Sequence, residues 1–185
     1  MRITKQQLEK QLDDFGHHRI EIVAELAHQG RPDGIGPALL LAIGSRETNL
    51  NNITGDGGHG RGWIQIDDRF HNLWLSRHAG CKSGSWKATF SSALPAGRVP
   101  SLTAATLHGI DILHGNLAFA ANHNVPKEQR TRFAIAAYNA GAGGALEGFH
   151  AGNVDLKTAN HDYSKDVLER KAVVAAYLKR HSLPV

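Results

Sequence analysis

Gly34–Asp67 reads GIGPALLLAIGSRETNLNNITGDGGHGRGWIQID, and its pattern decides the fold class. Pro37 suits the first turn of a helix, and Ala38 to Ile43 are good helix formers that carry it on through Ser45 and Arg46 to Glu47, with a stop near Asn49. A glycine-rich turn holding Asp56 comes next. Trp63, Ile64, Gln65 and Ile66 then read as a brief half-buried strand that delivers Asp67. Three carboxylates therefore bracket one compact helix-to-turn unit.

Leu40, Ile43 and Glu47 fall at i, i+3 and i+7, so Glu47 shares the face that the two aliphatic residues bury. Desolvation disfavours a charged carboxylate there, and the negative end of the helix dipole acts in the same direction. Both raise its pKa towards the range of a general acid. The same residue would also serve by capping the last turn or by pairing with Arg46 or Arg61. Asp56 fits an Asx turn equally well, and Asp67 fits the N-cap of a helix over DRFHNLWL. Spacing alone leaves these readings open.

Outward from this unit, the 185 residues suffice for one well-buried domain over 1–185, with residues 1–33 as an N-terminal helical pair belonging to it. Thr4 and Gln7 make a capping box and Ile3 can staple to Leu8, which starts a helix through Leu8, Leu12 and Phe15 that Gly16 can end. Ile20, Val23, Ala24 and Ala27 define a second helix ending at Gly30. Beyond Asp67, residues 68–78 are expected to be helical, and Cys81 to Pro100 reads as a long surface loop. Trp86 and Phe90 lie in it, as anchors or as ligand platforms. A helix from Leu102 to about His123, with Ile110, Leu113 and Leu117 on one face, is expected to be the central core helix. PKEQRTRFAIAAYNAGAGG gives a further helix that turns at Gly141, with Tyr138 and Asn139 at its end, where they could donate to a ligand or to the acid. Tyr138 would equally fit the core with a satisfied hydroxyl. The last helix runs from about Asp162 to Arg180, with Val167, Val174 and Leu178 inward and Tyr163 in its first turn.

A formal charge of +4 and a pI of about 9.4 favour attraction to an anionic polymer. No run of basic residues interleaved with aromatics occurs, so nucleic acid is not the expected partner. Cys81 is the only cysteine, which rules out an intramolecular disulfide and suits synthesis in a reducing cytoplasm. MRITKQQLEKQLDDFG has no apolar signal-peptide core, and Ala38–Ile43 is too short to span a bilayer, so neither a signal peptide nor a membrane is expected. The twelve histidines are scattered, with no H-E-x-x-H and no Cys–His spacing, so neither a metal nor a cofactor is expected.

Four blocks, SRETNL, GDGGHGRGWIQID, AYNAGAGG at Ala137–Gly144 and HDYSKDVLERKAVVAAYL at His161–Leu178, resemble the successive motifs of goose-type lysozymes in the family's order. They cover the chain from about residue 34 to its end. The resemblance implies a mainly α, lysozyme-like domain with a small β-hairpin at the active-site cleft. It further implies an inverting muramidase that cleaves the β-1,4 bond between N-acetylmuramic acid and N-acetylglucosamine, a monomer whose partner is the peptidoglycan glycan strand. In it Glu47 would be the general acid, and Asp56 and Asp67 the acidic pair that holds the water. Gln65, His71, Tyr138, Asn139 and Tyr163 would line the cleft or support the acid. His59 and Arg61 stand where family members often carry an amide and an aromatic. A phage endolysin, acting on the wall after release, fits the missing signal peptide and disulfides. Two rivals stand beside this reading. A lytic transglycosylase would use the same glutamate without Asp56 and Asp67; a non-catalytic glycan-binding module would stack sugar on Trp63, Trp86 and Tyr138.

Overall fold

A computed structural model describes residues 3–30, 34–87 and 97–185; Phe90 lies outside the described residues. The chain is mainly helical. Helix α1 (Lys5–Phe15) starts at the expected capping box: the Gln7 amide N–H donates to Thr4 Oγ1 at 3.2 Å and the Thr4 N–H to Gln7 Oε1 at 2.8 Å. Gly16, at φ 87°, ends it, and α2 (His17–Gly30) follows with Ile20, Val23, Ala24 and Ala27 buried.

Helix α3 (Pro37–Thr48) is the centre of the core, and every residue from Pro37 to Ser45 is buried. This corrects the expectation that the Leu102 helix is central. PALLLAIGS has no polar stripe and can only be buried on all sides, whereas α5 (Leu102–Asn122) carries His108, Asp111 and Asn116, buries Ile110 and Leu113, and leaves Leu117 only partly covered. Helix α5 packs on α2 and on α6 (Lys127–His150), and α7 (Tyr163–Arg180) packs on α3 and α6. Buried charge joins α7 to α3: Arg170 donates to Asp166 at 2.9 Å and to Ser45 Oγ at 2.8 Å, and Arg46 reaches Asp166 at 3.0 Å. Among the described residues no helix is long and apolar enough to cross a membrane.

After α3 the chain forms a very small sheet of β1 (Thr54–Gly55), β2 (Gly60–Arg61) and β3 (Ile66–Asp67), antiparallel in that order. The expected strand over Trp63–Gln65 is instead a turn. Gly62 at φ 83° and Gln65 at φ 52° break the alternation and send both Trp63 and Ile64 into the core. Helix α4 (Asp68–His78) follows as expected. The stretch from Cys81 to Pro100, read as a loop, has a paired neck, β4 (Cys81–Lys82) against β5 (Arg98–Val99). Trp86 is an anchor: it meets the Phe15 ring edge-on at 5.5 Å with the Arg19 guanidinium 5.3 Å over it. Helix α6 does not stop at its glycines. It kinks at Gly141 (φ 73°, ψ 157°) and resumes to His150.

Two helix-interior glycines separate packing from propensity. A Cβ at Gly44 would lie 2.3 Å from Trp63 Cε3, while one at Gly115 in α5 would meet nothing within 4 Å. Alanine gains up to about 1 kcal/mol of helix propensity at either position. Overpacking a buried indole costs about 1–3 kcal/mol and should outweigh it. Thermal unfolding is therefore expected to show Gly44→Ala destabilised and Gly115→Ala stabilised; a higher midpoint for Gly44→Ala would mean that the indole is free to move aside.

Candidate active site

Glu47 occupies the last turn of α3, which ends where Asn49 takes a left-handed conformation (φ 53°) and returns its N–H to the carbonyls of Gly44 and Ser45. Its carboxyl faces a cleft of about 360 Å³ lined by Asp56, Gly60, Gln65, Asp67, Arg69, Tyr138 and Asn139. Burial pushes its pKa from 4.5 up to about 7; a hydrogen bond from the Tyr163 hydroxyl and the nearby Arg46 charge oppose the rise, and Asp56 adds to it. The ion-pair alternatives for Glu47 are not realised. Arg46 turns to Asp166 at 3.0 Å and Asp162 at 3.6 Å, and Arg61 turns to Asp68 at 2.8 Å.

Tyr163, buried in the first turn of α7, donates its hydroxyl to Glu47 Oε1 and lies 5.6 Å beneath the Arg46 guanidinium. Tyr138 donates to the Ile64 carbonyl at 2.9 Å, which ties the kinked end of α6 to the turn after β2. Asn139 accepts the Ala159 N–H at 2.8 Å and so holds the approach to α7. Gln65 lines the cleft with its amide committed to the hairpin: Nε2 donates to Gly62 O at 2.7 Å and Ile53 O at 3.2 Å. Its Oε1 fills space that only glycine leaves, since a Cβ at Gly55 or Gly60 would come within 2.2 or 2.1 Å of it. His71 borders a groove of about 390 Å³ that runs on from the cleft past Asp67, Phe70 and Tyr138.

Asp56 and Asp67 share one cation. Asp56 stands in the turn at φ 48°, and Asp67 is the N-cap of α4, accepting the Arg69 N–H at 2.8 Å. Arg69 Nη2 reaches Asp56 Oδ2 at 2.7 Å and Asp67 Oδ2 at 2.5 Å, and its Nε reaches Asp67 Oδ1 at 2.9 Å. The guanidinium holds the Asp67 carboxyl below its ordinary range. Sequence reasoning missed Arg69; the signal was a basic residue two places after an N-cap aspartate, which brings a side chain back over the cap. His59 and Arg61, the two departures from the family pattern, both bind Asp68, each at 2.8 Å, and make a second clamp between hairpin and α4.

The sugar-stacking alternative loses its chief platform, since Trp63 is 0 % exposed. With Trp86 pinned to α1, neither tryptophan borders the cleft.

No family model matches the chain. Over 154 residues it is 29% identical to "Lysozyme g" of Gallus gallus, an alignment covering 80% of this chain and 58% of that protein. It is 29% identical to "Lysozyme g" of Struthio camelus and 30% identical to "Lysozyme G" of Dromaius novaehollandiae, again over 80% of this chain and 60% of each relative. The chain thus spans less than two thirds of the length of these relatives. With four motifs in the order they take in goose-type lysozymes, that similarity and a mainly helical body with a small sheet beside Glu47, the chain is similar to the goose-type lysozymes.

Proposed function

We propose that the protein is a muramidase that cleaves the β-1,4 bond between N-acetylmuramic acid and N-acetylglucosamine in peptidoglycan by inversion. The observation that carries this reading is a desolvated carboxyl with a pKa near 7 sharing one cleft with a carboxylate pair held by an arginine. Glycoside hydrolysis needs these two parts in opposite states, an acid kept protonated and a base kept ionised. Glu47 gives its proton to the oxygen of the leaving N-acetylglucosamine as the bond from C1 breaks. A water adds to C1 from the opposite side, and its proton passes to the Asp56 and Asp67 pair. Arg69 aims the two aspartates together and holds the Asp67 carboxyl below its ordinary range, and Tyr163 fixes the Glu47 carboxyl through one of its oxygens.

A lytic transglycosylase would need Glu47 but not this pair. Mass spectrometry of digested peptidoglycan separates the two, hydrated reducing ends marking the hydrolase and anhydro ends the transglycosylase.

Glu47→Gln removes the transferable proton and should lose turnover by at least about 10²–10⁴-fold while still binding wall fragments. It should also be the more stable protein at high pH. The Glu47 pKa is raised in the fold, so its contribution to stability is full below pH 4.5 and lost as pH rises through 7. The amide escapes that loss, worth on the order of 3 kcal/mol at pH 8, and the two proteins should converge near pH 4. Parental lysis by this variant, or no pH dependence in the stability difference, would remove Glu47 from its assigned role.

Tyr163→Phe deletes a hydrogen bond that lowers the Glu47 pKa. The acid then stays protonated to higher pH, so the alkaline limb of the kcat/KM profile should move up. A limb that stays in place or moves down would detach Tyr163 from the acid.

Asp56 and Asp67 share one guanidinium and one water, so each single change to Asn should cost modestly, about tenfold, and the double change more than the product of the two. Proton NMR of a fresh digest should show the α-anomer first. Full activity in the double variant, or the β-anomer as first product, would return both aspartates to the roles of turn and helix cap.

A further inference from the structure

Trp74, in the middle of α4, carries two stacked imidazoles. His78 lies 4.3 Å from it with 11° between the planes, and His108, from α5, lies 4.0 Å away at 12°. His108 in turn meets His71 edge-on, at 4.8 Å and 86°, with its Nε2 3.1 Å from His71 Nδ1. His71 stands where α4 departs from helical geometry (φ −117°, ψ 23°) and borders the groove that continues from the Glu47 cleft. A ring that only had to cover Trp74 would need no nitrogen at 3.1 Å from a groove-lining imidazole.

Two neutral imidazoles in this contact share one proton. If His108 Nε2–H is the donor, both rings hold their proton on Nε2, the more stable tautomer of a free histidine side chain; the reverse bond requires the less stable tautomer of both. Burial keeps both rings neutral, with His108 pushed down to about 4 and His71 lowered as well. The titratable groups that face them are Asp67 on His71, and His71, His78 and Asp111 on His108.

We propose that His108 is a positioning residue: its Nε2–H holds Nδ1 of His71, which fixes the His71 proton on Nε2 and gives the groove a directed donor for a hydroxyl or acetamide oxygen of an N-acetylhexosamine. This rests on the reading of the cleft as a glycan site. Its effect is on binding, with the proton transfer at Glu47 untouched.

The test is made in the Glu47→Gln protein, so that binding is measured without turnover, with tetra-N-acetylchitotetraose as the probe in calorimetry. Adding His108→Phe keeps a ring on Trp74 and removes the nitrogen; Kd should rise about five- to tenfold, the effect of one hydrogen bond. Adding His108→Gln, whose amide can still donate to His71, should recover most of that loss. Long-range proton–nitrogen spectra of the imidazoles give a readout that packing alone would not move: His71 as the Nε2–H tautomer in the parent, and a mixture of tautomers with His108→Phe. Equal affinity for the phenylalanine and parent proteins, glutamine no better than phenylalanine, or a parent His71 carrying its proton on Nδ1 would each overturn the assignment. If His108→Phe does not fold, the glutamine variant and the parent spectrum decide. Failure of Glu47→Gln itself to bind the tetrasaccharide would overturn the glycan reading of the cleft, and the His71 tautomer would still decide whether His108 holds that ring.

Discussion

Trp63 packs directly onto the backbone of α3 at Gly44, and the position of every carboxylate in the cleft depends on that contact. The indole is fully buried, and the turn that carries it has its carbonyls met by side chains. Thr48, at the end of α3, donates to Trp63 O at 2.7 Å, and Tyr138, at the kink of α6, donates to Ile64 O at 2.9 Å. A turn buried this deeply would otherwise carry unpaired polar groups at a cost of about 1–3 kcal/mol each. The hairpin is thereby fixed relative to the helix end that bears Glu47. Asp56 and Asp67, one on each side of β2, inherit their positions from it.

The buried charges follow from the same constraint. A helix covered on all sides cannot leave Arg46 in water, so the guanidinium is met by Asp162 and Asp166 from α7, and Asp166 also accepts from Arg170. Removing one member would strand another in a low-dielectric interior, which is what makes such networks costly to break even where they add little net stability. Here the network also has a chemical consequence. Because Arg46 is committed to α7, it acts on Glu47 across space without forming an ion pair with it, and the carboxyl keeps most of the rise that burial imposes.

Much of this was legible in the chain. The capping box at Thr4, the helix from Pro37 to the residue before Asn49, the helix from Asp68 and the placing of Glu47 on a buried face all follow from local rules that tertiary packing did not override. Trp63 to Gln65 misled because an apolar run beside a strand was read as strand, when Gly62 and Gln65 adopt positive φ and both apolar residues point inward. The rank of the helices misled for a different reason. Periodicity picks out the amphipathic helix over Leu102–Asn122, but a helix apolar all round shows no stripe and is the one that belongs at the centre. Arg69 was legible only in part: its bond to Asp67 follows from a place two residues after the cap, whereas its reach to Asp56, thirteen residues back, depends on the hairpin bringing that turn to the same nitrogen, a relation that no linear spacing encodes.

Arg69 and Glu47 show how one small cleft keeps carboxyls in opposite states. Asp67 has three donors from Arg69, which hold its carboxyl below the ordinary range. Glu47 receives one neutral hydrogen bond and is largely cut off from water, and desolvation outweighs Tyr163 and Arg46 together. A fixed cation beside Glu47 would reverse that balance, because an opposite charge in contact lowers a carboxylate pKa by about 1–3 units. The two nearest arginines in sequence are held away from it by aspartates on other elements, Arg46 by Asp162 and Asp166 and Arg61 by Asp68. Asp162, Asp166 and Asp68 therefore shape the site by keeping arginines off the one carboxyl that burial raises.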